Sequence, residues 1–106
     1  MKDIIDKLVK FRDERNWKQF HSPDNLAKSI VIEAAELLEN YQWQSKETDL
    51  NNVKEEIADI MAYCLLLCDY YQIDYKEILL DKIKKNEEKY PIEKAYGKSD
   101  KYNKLV

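Results

Sequence analysis

A single glycine, Gly97, is the feature of this sequence that most restricts the folds it can adopt. A chain of 106 residues with average composition would contain about seven glycines. β-Sandwiches and β-barrels need glycine and proline at their turns, and this chain has only two prolines, so those folds are disfavoured. A Walker loop needs two glycines and a dinucleotide-binding fingerprint needs three, so neither phosphate-binding loop is present.

The remaining composition favours an all-α domain. Leu, Ala, Glu and Lys are abundant and are strong helix formers. Hydrophobic residues make up 44% of the chain, which argues against disorder although 37% of the residues are charged. The length predicts a single domain spanning residues 1–106. The net charge of -3 argues against nucleic acid as a partner, because sequence-independent nucleic-acid binders carry a basic face.

No segment of the sequence is typical of export or membrane insertion. Residues 1–10 alternate charged and apolar types without the apolar core of a signal peptide. The longest mostly apolar run, from Ile57 to Cys68, is shorter than the roughly 20 residues of a membrane span. Cys64 and Cys68 lie in this run and are predicted to be reduced core residues. We therefore expect a cytoplasmic protein without membrane contact.

Apolar spacing and capping residues predict four helices. Their expected ranges are about 2–16, 23–41, 50–71 and 75–89. Ser22 is the expected N-cap of the second helix, with Pro23 at its first position, and Asp74 forms a capping box with Glu77 before the fourth. The polar segment 44–49 is predicted to be a loop. The segment after Pro91 is predicted to be a polar tail.

The two middle helices also predict how the chain assembles. Four helices joined by short loops favour a four-helix bundle. Residues 30–38 and 57–68 are apolar nearly all round, so each of these helices is expected to be buried on several sides. One small bundle cannot easily surround two such helices. We therefore expect a homo-oligomer, either a dimer or a tetramer, that buries the second and third helices between subunits.

Two pairs of acids interrupt these apolar helices. Glu33 and Glu36 share one face of the second helix, and Glu56 and Asp59 share one face of the third. Buried carboxylates repel each other unless a cation neutralises them, and few basic residues lie nearby. Four carboxylates on facing helices suit Mg²⁺, whereas solvated or salt-bridged helix faces are the alternative. A di-iron bundle is excluded, because His21 is the only histidine and lies outside the Glu-x-x-His spacing.

The spacing of these acids resembles a known signature. Glu33-Ala-Ala-Glu36, followed after 19 residues by Glu56-Ile-Ala-Asp59, is similar to the Glu-x-x-Glu…Glu-x-x-Asp motif of the all-α nucleoside triphosphate pyrophosphohydrolases, the MazG-like superfamily. Residues 17–27 resemble the segment before the second helix in the branch that includes the dCTP pyrophosphatases. Further similar segments are 41–43, 82–91 and 97–102, so the resemblance covers nearly the whole chain.

The resemblance implies an activity and a cofactor. The implied reaction is hydrolysis of (deoxy)nucleoside triphosphates to the monophosphate and pyrophosphate, with dCTP or a modified dCTP as the expected substrate and cleansing of the nucleotide pool as the expected role. Glu33, Glu36, Glu56 and Asp59 would hold Mg²⁺, for which Mn²⁺ could substitute. Such a metal offsets phosphate charge and lowers the pKa of an attacking water. Glu33 or Glu36 would accept that water's proton.

The resemblance also implies nine substrate-binding residues. They are His21, Asn25, Trp43, Tyr63, Lys82, Asn86, Lys98, Lys101 and Tyr102. Trp43 would stack on the base, although a lone tryptophan more often packs in a core or an interface. Asn25 would read a base edge or help cap the second helix. Lys98, Lys101 and Tyr102 would close over the triphosphate, whereas the tail alone suggests a frayed terminus. The loop after Trp43 is shorter than in vertebrate-type dCTP pyrophosphatases.

Two other functions remain open from the residues alone. A non-catalytic helical module for nucleotide sensing or partner binding would keep the oligomeric bundle and would need no metal. A nucleic-acid binder has only the lysines of the tail in its favour, and the net acidity of the chain opposes it. Mg²⁺-dependent nucleotide binding separates the non-catalytic module from the enzyme.

Overall fold

The computed structural model describes residues 2–43 and 47–105, and these are mostly helical without any strand. The α-helices of this part of the chain are α1 (Lys2–Glu14), α2 (Pro23–Glu39), α3 (Leu50–Tyr71), α4 (Tyr75–Lys89) and α5 (Ile92–Ala95). Two short 3₁₀ helices span Lys18–Phe20 and Tyr102–Lys104. The predicted all-α class is thereby confirmed. Of the predicted loop 44–49, residues 44–46 lie outside the described residues.

Side-chain caps fix where the main helices begin. The Ser22 hydroxyl accepts a hydrogen bond from the Asn25 amide at 3.4 Å, and Pro23 occupies the first position of α2. The Asp74 carboxylate accepts hydrogen bonds from the amides of Lys76 and Glu77 at 2.9 and 3.3 Å. Each cap satisfies backbone donors that the first turn of a helix leaves without a partner. Both predicted helix starts are confirmed.

The ends of the first two helices differ from the prediction. Helix α1 ends at Glu14 instead of Asn16, because Asn16 adopts a left-handed conformation with φ of 55°. Asparagine tolerates this region better than most residues that carry a side chain. Helix α2 ends at Glu39 instead of Tyr41. The connection that follows α1 is partly ordered as the 3₁₀ turn Lys18–Phe20.

The chain divides into two compact units at the Ile73–Asp74 bond. In the first unit, α2 packs along α3, and α1 contacts α3 less extensively. Leu26 of α2 is fully buried, and Val53, Leu65 and Leu66 of α3 are buried as well, so these four residues form the apolar core of this unit. The four-helix bundle and the single-domain organisation stay predictions.

The second unit contains α4, α5 and the terminal segment. The ring of Tyr102 lies 6.2 Å from the ring of Tyr90, edge to face, and the Lys89 ammonium lies 5.0 Å from the centre of the Tyr102 ring. Gly97 adopts a φ of 75°, which favours glycine. The segment after Pro91 is thus folded back on the end of α4 within this unit.

Several apolar side chains of α2 and α3 are exposed in the single chain. Val31, Ile32 and Leu38 are 68%, 57% and 68% exposed. One chain by itself does not cover these side chains, and their expected burial between subunits stays a prediction. Both cysteines are free, but Cys64 is exposed and Cys68 is half-buried, so the predicted core position is wrong for Cys64. Within the described residues, no helix is long and apolar enough to span a membrane.

Candidate active site

Three carboxylates from two helices meet in the first unit. Glu33 of α2 and Glu56 and Asp59 of α3 each offer one oxygen, and these three oxygens lie within 4.8 Å of one another. Glu56 is buried, Glu33 is half-buried and Asp59 is exposed. The spacing of three between Glu56 and Asp59 places both on the face of α3 that meets α2. We call these three residues the carboxylate cluster.

The protein leaves the negative charge of the carboxylate cluster uncompensated. Atom Oε2 of Glu33 and atom Oε2 of Glu56 are buried, and neither receives a hydrogen bond from any donor among the described residues. No lysine or arginine in the described ranges forms an ion pair with the cluster. The hydrogen bond that a protonated Glu33 would donate to Glu56, burial, and the neighbouring Glu36 and Asp59 together raise the pKa of Glu33 to about 7. The fold therefore favours either a proton or a cation at this position.

The composition of the carboxylate cluster fits a divalent cation with hard-oxygen preference. Carboxylate oxygens are the ligands that Mg²⁺ takes in proteins, usually together with water. Glu36 lies one helical turn from Glu33, and both its hydrogen bond and its charge act on the Glu33 carboxyl. It lies beside the carboxylate cluster without belonging to the three converging oxygens. The structure thus brings the four sequence-predicted acids into one neighbourhood.

A cavity of about 340 Å³ adjoins the carboxylate cluster. Its walls are mainly aromatic and aliphatic, and Asp59 belongs both to this cavity and to the cluster. The residues that line it are Leu8, Phe11, Arg12, Trp17, His21, Asp59, Ala62, Tyr63 and Leu66. We call this space the aromatic cavity. Concave, mostly apolar pockets with a few polar groups are the usual form of a small-molecule site.

Two of the sequence-predicted substrate-binding residues lie together in the aromatic cavity. The rings of His21 and Tyr63 are 6.4 Å apart and nearly perpendicular. Burial, and secondarily the charge of Arg12, lowers the pKa of His21. Burial, followed by the charges of Glu33 and Asp59, raises the pKa of Tyr63. Both shifts favour the neutral form, so the two rings present uncharged polar atoms to the cavity.

Asn25 and Trp43 do not line the aromatic cavity. The Asn25 side-chain amide donates to the Phe20 carbonyl at 3.0 Å, and the Asn25 backbone amide is held by the Ser22 cap. Asn25 therefore joins the start of α2 to the preceding 3₁₀ turn, which agrees with the capping alternative. Trp43 is 65% exposed in the single chain.

The other sequence-predicted residues belong to the second unit. Lys82 and Asn86 are exposed on α4, and Lys98 and Lys101 are exposed in the terminal segment. Tyr102 contacts Tyr90 and Lys89. Their binding of a nucleotide stays a prediction.

Sequence reasoning missed the part of the aromatic cavity that α1 and the following turn supply. Leu8 and Arg12 lie one helical turn apart on α1, and Phe11 packs edge to face on Trp17 at 5.7 Å. One signal in the sequence was available, because Arg12 follows Leu8 at the helical spacing of an apolar stripe. A charged residue at such a position has to be exposed or paired, and Arg12 is buried and paired.

Comparison with known proteins finds relatives that are MazG-like proteins or are named as pyrophosphatases. The sequence model of the MazG-like family matches residues 28–105. The dCTP pyrophosphatase 1 of Bos taurus is 32% identical over 99% of this chain and 68% of that protein. The dCTP pyrophosphatase 1 of Homo sapiens is 31% identical over 99% of this chain and 67% of that protein. A crystal structure of a pyrophosphatase from Archaeoglobus fulgidus matches 86% of this chain and 92% of its own, with 45% identity and a TM-score of 0.78.

Proposed function

Because this chain belongs to the MazG-like family, we propose that it is a nucleoside triphosphate pyrophosphohydrolase. It hydrolyses the triphosphate to the monophosphate and pyrophosphate. The observation that carries the proposal is the contact between the carboxylate cluster and the aromatic cavity through Asp59. The cluster suits a cation bound to phosphate, and the cavity suits a nucleobase, so one molecule with both parts fits the two together.

Mg²⁺ is the proposed metal, with Mn²⁺ as a substitute, and Glu33, Glu36, Glu56 and Asp59 would hold it. When bound, the metal would neutralise phosphate charge and lower the pKa of the attacking water. Glu33 and Glu36 are the candidates for accepting the proton of that water.

The proposed substrate is a deoxynucleotide with a cytosine-type base. The relatives that are named dCTP pyrophosphatase support this choice. The base would lie in the aromatic cavity, with His21 donating to it and Tyr63 limiting the space beside the sugar. Lys82, Asn86, Lys98, Lys101 and Tyr102 would bind the phosphates, and Asn25 would hold the turn that carries His21. Trp43 does not line this cavity in the single chain, so its stacking on the base stays a prediction. House-cleaning of the nucleotide pool is the proposed role.

The proposed assembly is a homodimer or homotetramer. Val31, Ile32 and Leu38 of α2 are mostly exposed in the single chain, and a second copy of the chain would cover them. Apolar patches of this kind mark contact surfaces on folded proteins.

Pyrophosphate release from the natural deoxynucleoside triphosphates tests the proposed function. The wild-type chain should release pyrophosphate from dCTP in Mg²⁺, and Glu56→Gln should reduce the rate by about 100-fold or more, because it removes a buried charged ligand. Glu55→Gln, the matched control, changes the exposed neighbouring acid and should keep the rate. Absence of pyrophosphate from every natural deoxynucleotide, at micromolar enzyme with Mg²⁺ or Mn²⁺, would contradict the proposal. Nucleotide binding that needs no metal, without turnover, would favour a nucleotide-sensing module instead.

A further inference from the structure

Arg12 is a buried cation that the proposed reaction does not yet use. Its side chain is 7% exposed and lies in the last turn of α1. Atom Nε donates to the Asp13 carboxylate at 2.9 Å, and atom Nη1 donates to the Asp69 carboxylate of α3 at 3.4 Å. Since a buried charge is costly unless it is paired, these two carboxylates hold the guanidinium at this position.

The guanidinium has donors beyond those it uses. It carries five N–H groups, and the two hydrogen bonds to Asp13 and Asp69 engage only two of them. The remaining N–H groups have no acceptor among the residues that the structure describes. These N–H groups are therefore available to an acceptor on a bound molecule.

Arg12 lies on the wall between two cavities. It lines the aromatic cavity and also a second cavity of about 180 Å³, whose lining includes Lys18, Asp69 and Gln72. The second cavity is smaller and more polar, and it already supplies an acidic partner in Asp69. The aromatic cavity has flat apolar walls that suit a ring. A planar heterocycle in the aromatic cavity would therefore lie beside the Arg12 guanidinium.

We propose that Arg12 determines base specificity by donating two hydrogen bonds to adjacent acceptors, O2 and N3, of a cytosine ring in the aromatic cavity. The inference rests on the proposed function, which places a base in this cavity. Asp69 and Asp13 are positioning residues in this arrangement, because they orient the guanidinium through the hydrogen bonds described above. Nearby His21 favours the neutral form, so it adds no second positive charge beside the base.

The polar edge of the base, and not its size, separates cytosine from thymine and uracil at this position. These pyrimidines have nearly the same shape, so apolar walls alone discriminate weakly between them. Cytosine presents a lone pair at N3, whereas thymine and uracil present an N–H there. An N–H of Arg12 that faces N3–H leaves two donors without an acceptor, and such unpaired buried donors reduce affinity strongly. Guanine also has two adjacent acceptors, N7 and O6, but it is a larger ring system.

Steady-state kinetics of Arg12→Gln tests this role. The KM for dCTP should rise by about tenfold or more, whereas the KM values for dTTP and dUTP should change by less than about twofold and kcat for dCTP should be kept. The dCTP and 5-methyl-dCTP values should rise together, because the methyl group lies away from the O2–N3 edge. Lys10→Gln, the matched control, removes one positive charge from an exposed position of α1 and should leave all of these values unchanged.

Two further measurements separate Arg12 recognition from a purely structural ion pair. Arg12→Lys keeps a cation beside Asp69 but loses the planar donor fork, so it should also lose selectivity for dCTP over dTTP. Thermal unfolding by circular dichroism is measured in parallel, and Arg12→Lys carries the comparison if Arg12→Gln does not fold. Equal loss of activity on dCTP and dTTP, or loss of kcat alone, would overturn the proposal and leave Arg12 as a structural residue.

Calorimetric binding of the monophosphates distinguishes failure of this proposal from failure of the proposed function. The wild-type chain should bind dCMP more tightly than dUMP, and Arg12→Gln should remove about tenfold of that difference. If the wild-type chain hydrolyses no triphosphate but shows this pattern, the proposed hydrolysis is wrong and the role of Arg12 stands. If hydrolysis occurs and wild-type and Arg12→Gln discriminate dCMP from dUMP equally, the role of Arg12 is wrong.

Discussion

Glu33 is held by this fold in a state that an ordinary glutamate would not adopt at neutral pH. Its carboxyl shares a hydrogen bond with Glu56 and is partly buried, and these contacts raise its pKa to about 7. An unfolded chain would release this proton at the ordinary pKa of 4.5. Between these two values folding therefore takes up a proton at Glu33, and the stability of the metal-free chain depends on pH.

The stability of the metal-free chain should fall as the pH rises from about 4.5 to about 7 through the Glu33 contribution. In this window the folded state binds more protons than the unfolded state, so the free energy of unfolding decreases with pH, by about 1–2 kcal/mol after allowance for solvent screening. The lowered pKa of His21 has the opposite effect, because it makes the free energy of unfolding increase with pH where His21 loses its proton. Urea unfolding of wild type and Glu33→Gln in chelator isolates the Glu33 part. Parallel pH profiles for the two chains would contradict it.

At the residue scale, spacing predicted the acids and did not predict their neighbours. Glu33, Glu56 and Asp59 converge because spacings of three place acids on one helix face. Arg12 and Trp17 could not be assigned to the cavity in the same way. Their positions depend on how α1 crosses α3 and on the turn after α1, and periodicity within one helix does not specify either.

Helix α2 depends on its N-terminal cap, and the cap provides a test at the scale of a single element. Ser22→Ala removes the hydroxyl that accepts the Asn25 amide and should lower the free energy of unfolding by about 1 kcal/mol. Ser99→Ala changes an exposed serine of the second unit that forms no helix cap, so it should be nearly neutral. Denaturant unfolding measures the free energy of unfolding of both variants. If Ser22→Ala lowers it no more than Ser99→Ala does, the cap does not stabilise α2.

Helix boundaries were predicted correctly where a capping residue in the sequence determines them. Ser22 with Pro23 and the Asp74 carboxylate start helices where the sequence places them. The end of α1 was predicted too late, because Asn16 takes a left-handed conformation that the apolar pattern does not encode. The turn Lys18–Phe20 was not predicted as helix, since a single 3₁₀ turn has no periodicity to detect.

The exposed apolar side chains of α2 provide a test of the expected homo-oligomer. Val31→Lys places a charge where Val31 is 68% exposed in one chain, and it should shift a homo-oligomer towards smaller species, because a buried unpaired charge opposes association. Ile92→Lys makes the same change at the 79% exposed Ile92 of α5 and should leave the assembly intact. Light scattering after size-exclusion chromatography measures both. A wild-type chain that is monomeric at all concentrations would contradict the expected oligomer.

The oligomer is the one feature that was predicted from the distribution of apolar residues over whole helices and not from local capping or turn residues. Apolar residues all round α2 and α3 led to the expected oligomer, and in the single chain many of these residues are exposed. The pattern of apolar residues indicates how much of a helix surface should be buried, but it does not identify the helix or subunit that buries it. The all-α class followed from composition, because the near absence of glycine excludes most other folds whatever the packing.

Asp59 has one further consequence, because it belongs to both the carboxylate cluster and the aromatic cavity. Tyr63 follows it one helical turn later on the same wall. A molecule that fills the cavity and also reaches a cation held by the cluster needs a suitable distance between its ring and its anionic group, because Asp59 and Tyr63 lie on one helix. The separation of these two positions on α3 thus restricts which molecules can occupy the cavity and reach the cluster together. Molecules in which the ring and the anion are spaced differently would bind at one end only, whatever the quality of their contacts there.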